Sequence, residues 1–122
     1  MTERDERPTA VVHAERGAQA WRAAEMAQRM TAPDHSDFYA LAGELVDTLR
    51  AVEALAAVLA QQVAGYAAGR PVYDDSGVIE PRTRLRAGVL ALAELRHGVA
   101  EGERAVNAFW NAISHIGVEV AS

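Results

Sequence analysis

The 122-residue chain has no cysteine, no lysine, only four prolines and 6% aromatic residues. Without cysteine there is no disulfide, no thiolate metal site and no thiol catalysis. Arginine supplies all twelve basic residues. With the alanine excess, that reads as the coding bias of a GC-rich bacterial genome rather than selection for guanidinium chemistry. Scarce aromatics and abundant alanine bury little area per residue, so the expected core is thin. Alanine also has the highest helix propensity. No apolar run approaches the ~20 residues of a membrane helix. The first ten residues, MTERDERPTA, are charged where a signal peptide is apolar. A cytoplasmic chain with no membrane partner is expected. The net charge of −5 leaves no general basic face, so nucleic acid is an unlikely partner.

What the sequence does contain is two long apolar stripes with steps of three and four residues. The first is Phe38, Leu41, Leu45, Leu49, Val52, Leu55, Leu59, Val63 and Tyr66. The second is Leu85, Val89, Leu92, Leu95, Val99, Val106, Trp110 and Ile113. Such spacing puts each set on one side of an α-helix. Gly69 and Pro71 end the first helix, and Pro81 suits the opening turn of the next. The reading is all-α: a long antiparallel helical hairpin with a weaker N-terminal helix before it. Residues 1–12 read as a disordered arm and 13–122 as one helical domain. Helices are expected over about 14–31, 34–68 and 82–116.

A lone two-helix hairpin is marginal, because ordering its backbone costs more than two stripes of this size recover. The expected remedies are docking of the N-terminal helix through Trp21 and pairing of two hairpins. Both together are expected, as a homodimer of four-helix-bundle type. Antiparallel pairing brings Phe109 and Trp110 near Phe38 and Tyr39 at the open end. With Trp21, these aromatics are the candidate interaction residues, although aromatics at helical spacing more often plug a core.

Two constellations carry chemistry. Glu94 and His97 have the Glu-x-x-His spacing of ferritin-like di-metal helices, with Glu101 one turn on and Glu53 near their level. The wheel turns Glu94, His97 and Glu101 away from the apolar stripe, which favours a solvated face of charge pairs. Arg70, Arg82, Arg84 and Arg86 surround the loop and suit an anion, but Asp74, Asp75 and Glu80 offer internal partners. No triad and no phosphate-cradling glycine loop is present. Small secreted helical hairpins carry Trp-x-Gly in the turn; here it reads Tyr73-Asp74-Asp75-Ser76-Gly77, so no family follows. The expectation is a non-enzymatic adaptor or accessory protein without a cofactor, acting on an unknown protein partner. Its alternatives are a metal-binding hairpin and a nucleic-acid accessory.

Overall fold

The computed structural model describes residues 5–120. Met1–Arg4, within the expected arm, and Ala121 and Ser122, ending the expected tail, lie outside the described residues. The described residues form three helices and no strand: α1 (Thr9–Arg29), α2 (His35–Ala64) and α3 (Pro81–Ile113). The chain divides between Asp34 and His35 into two compact units.

In the first unit, α1 begins about five residues ahead of its expected start. Residues 9–12 are therefore helix rather than arm. Pro8 is the reason: its carbonyl accepts from Val11 and Val12 N–H at 3.0 and 3.2 Å. That anchors a first turn the charge pattern did not announce. Arg7 adds a tie, bonding Asp5 on one side and Glu15 of the helix on the other. At the far end the Thr31 hydroxyl donates to the Ala27 carbonyl at 2.8 Å, and Pro33 precludes continuation. No residue of α1 is buried.

In the second unit, α2 and α3 pack against each other as the expected hairpin. Asp34 immediately precedes α2, and Asp37 lies in its first turn, where negative charge suits the dipole. The helix stops at Ala64, four residues short of expectation. Gly65 weakens the ladder, and the next bonds tighten, with Tyr66 N–H reaching Val63 and Ala68 N–H reaching Gly65. Gly69 then takes φ +71°, the left-handed conformation that closes the helix end. Pro81 opens α3, and Ser114 caps it three residues before the expected end at 116. There the Ser114 hydroxyl donates to the Asn111 carbonyl at 2.7 Å, pulling the chain off the helical ladder.

The core departs from expectation in a way that matters for function. Among the described residues, the buried ones are Ala42, Val46, Ala56 and Val99. Three belong to α2, and none of those three is in its expected stripe. Glycines and alanines let the helix axes approach: Leu49 sits against Gly102, Val63 against Gly88, and Trp110 against Gly43. Close approach fills the seam with small side chains. The larger leucines are left beside it.

Candidate interaction face

The displaced leucines form a surface of their own. Leu45, Val52, Leu55 and Leu59 lie roughly a quarter-turn around α2 from the line facing α3. They are 38–48% exposed. On α3, Leu95 and Phe109 are exposed on the matching side of their seam. The handedness of two antiparallel helices puts both sets on one flank of the hairpin. No charged residue interrupts the α2 ridge from Leu45 through Thr48, Val52, Leu55 and Leu59.

Charge collects on the opposite flank. Arg96 donates to Glu53 at 2.8 Å and Arg50 to Glu103 at 2.9 Å, each pair bridging α2 and α3. These pairs are exposed and contribute little stability, but they fix which flank is polar. With the glycine contacts they also fix the register: residues at one height have numbers adding to about 151.

The four residues of the metal alternative are not brought together. Glu53 is held by Arg96, while Glu101 is bonded by Arg104 and lies 3.9 Å from His97. Glu94 is exposed on the outer side of α3. Among the described residues, no group of three histidine, cysteine or acidic side chains is placed to hold a metal ion.

The loop arginines divide rather than converge. Asp74 nucleates the turn: its carboxylate accepts from the Ser76 N–H and hydroxyl and from Arg84, the last at 2.8 Å. Gly77 closes the turn with φ +70°, its N–H meeting the Asp74 carbonyl at 3.0 Å. Arg70 lies 4.3 Å over the Tyr66 ring. Arg70 and Arg84 thus share an open cavity of about 310 Å³ with Asp74, while Arg82 and Arg86 line a separate depression beside Ala64, Ala67 and Ala68.

The Ser76 hydroxyl, and then Arg84, hold the Asp74 carboxyl below the usual carboxylate range. Its side chain is only 6% exposed. Because the folded value is depressed, this contribution to stability is complete above the unfolded value of about 3.9. It fades as pH falls through the lower folded value. Carbon-detected NMR of Asp74 is expected to give a midpoint below that of a free aspartate. Arg84→Ala should move it back upward.

At the open end the expected aromatic cluster is present in part. Tyr39 meets Trp110 edge-on, with centroids 5.1 Å apart and planes at 68°. Phe38 is half-buried, whereas Phe109 is exposed on the apolar flank. Trp110 Nε1 is buried and meets no acceptor among the described residues. Trp21 belongs to the N-terminal unit, where it is partly exposed on α1.

No helix among the described residues is long and apolar enough to cross a membrane. No protein-family model matches the chain, no curated protein matches its sequence, and no solved structure matches its fold. A functional reading therefore rests on the side chains themselves.

Proposed function

We propose that this chain is a non-enzymatic adaptor or accessory protein that acts through protein–protein contact and pairs with itself as a four-helix-type bundle. One observation carries the reading: a continuous apolar ridge on α2 stands exposed while charged groups pair with one another on the opposite flank. Contiguous exposed apolar surface of this kind suits association. The placement of the charges adds support, since Arg84, Arg96 and Arg50 are engaged with carboxylates of the same chain. For the outside partner we assign the open end, where Tyr39 against Trp110 supplies the aromatic surface common in binding hot spots.

Co-purification tests this reading, with a tagged and an untagged copy expressed together in the native host. The untagged copy and at least one further protein are expected to be retained. Tyr39→Ala should release the further protein while leaving the self-pairing intact. Retention of neither would overturn the reading.

A further inference from the structure

We infer that the apolar flank is the face on which two copies of this chain pair, with Val52 and Leu55 of each seated on either side of Gly98 of the other. This rests on the reading above and specifies the occupant of the flank.

The size of the face fits such an occupant. Thirty residues of helix span about 45 Å, and two helices 8–10 Å apart present a strip roughly 18 Å wide. That gives on the order of 800 Å² per copy, the area each side of a stable interface buries. Charge fits as well. Pairing on this flank leaves the inter-helix ion pairs in water on the other one, and the α2 ridge from Leu45 to Leu59 brings no charge into the contact.

Shape decides the arrangement. On the flank, α2 offers a ridge of branched side chains, while α3 offers Gly98 between Leu95 and Phe109. A two-fold axis parallel to the helices lays the α2 ridge of one copy over the α3 notch of the other. All neighbouring helices then run antiparallel. A two-fold axis across the helices would instead set ridge on ridge.

With heights adding to about 151, the parallel axis places Gly98 level with residue 53 of the second copy, between Val52 and Leu55. Gly98 is the telling residue. It lies in mid-helix, where glycine is disfavoured, and a Cβ there would meet nothing within 4 Å. Nothing inside the hairpin requires a glycine at that point. A side chain arriving from another copy does.

The hairpin also needs cover whenever it is folded, because only four of its described residues are buried. A second copy is the partner whose supply always matches its own.

Light scattering over a dilution series of the full chain tests the inference. The wild type is expected at twice 13.1 kDa. Leu55→Glu and Gly98→Leu should each raise the dissociation constant on the order of a hundredfold. Leu90→Glu, at a 63% exposed position away from the flank, should leave it unchanged. A dimer untouched by Leu55→Glu and Gly98→Leu would overturn this face and leave the protein-contact reading standing. A wild type of single-chain mass at every concentration would overturn the pairing itself, and retention of the further protein would then decide the contact reading separately.

Discussion

At pH 7, Val46→Asp is expected to abolish the cooperative thermal transition of the hairpin. Val46 is 2% exposed, and among the described residues the buried set contains no polar or charged group to receive a carboxylate. An unpaired charge buried there costs about 3–5 kcal/mol. At roughly 0.05–0.15 kcal/mol per residue, a unit of this size has only about 4–13 kcal/mol in total. The substitution therefore consumes a large share of the stability, and all of it toward the lower end of that range. Circular dichroism at 222 nm should show helix lost without a sharp midpoint.

Two comparisons separate charge burial from a general loss of packing. Leu90→Asp places the same side chain at an exposed position and should change stability by no more than about 0.5 kcal/mol. In Val46→Asp itself the fold favours the neutral acid, so the folded carboxyl value is raised. Stability should accordingly be regained as pH falls through that raised value, in full below the unfolded value of about 4, and lost again as pH rises. A sharp transition at pH 7 close to that of wild type would show that Val46 does not face the seam.

The choice of Val46 rather than Leu45 marks where the sequence stopped being legible. Spacing located both long helices, their antiparallel sense and a register within a residue or two, because a period of 3.6 and the Gly69 and Pro81 signals are local properties. Which side of α2 faces α3 is not local. Large side chains at three- and four-residue steps pointed to Leu45, Val52, Leu55 and Leu59. The seam instead buried Ala42, Val46 and Ala56 and kept only Leu49 and Val63 of the stripe on its glycines, Gly102 and Gly88 of α3. Reading the helices as a pair, with the glycines of one matched to the other, would have found this. Reading each stripe alone could not.

The same distinction governs the candidate sites. The outward direction of Glu94, His97 and Glu101 followed from the wheel and agrees with their exposure. The Asp74–Arg84 contact spans ten residues of loop, and only the turn closed by Gly77 brings the two together. The four loop arginines looked like one set because they are close in sequence. Tyr66 takes Arg70 and Asp74 takes Arg84 through contacts that no spacing rule specifies.

Trp110 provides the second large effect and a sharper comparison. Its six-membered ring edge lies 3.9 Å from where a Cβ on Gly43 would stand, and Tyr39 meets it edge-on. Trp110→Ala removes both contacts and leaves a cavity at the open end, at an expected cost of about 3 kcal/mol by urea unfolding. Trp110→Phe should cost about 1 kcal/mol or less. It gives up the Gly43 contact, but it also removes an indole N–H that is buried without an acceptor, whose desolvation costs about 1–3 kcal/mol. The two losses offset each other only if that N–H is unpaired in solution. An unchanged denaturant slope would confirm that both variants act on the folded state. Phenylalanine proving as costly as alanine would mean that the indole nitrogen is bonded, and that the ring serves as an anchored core plug.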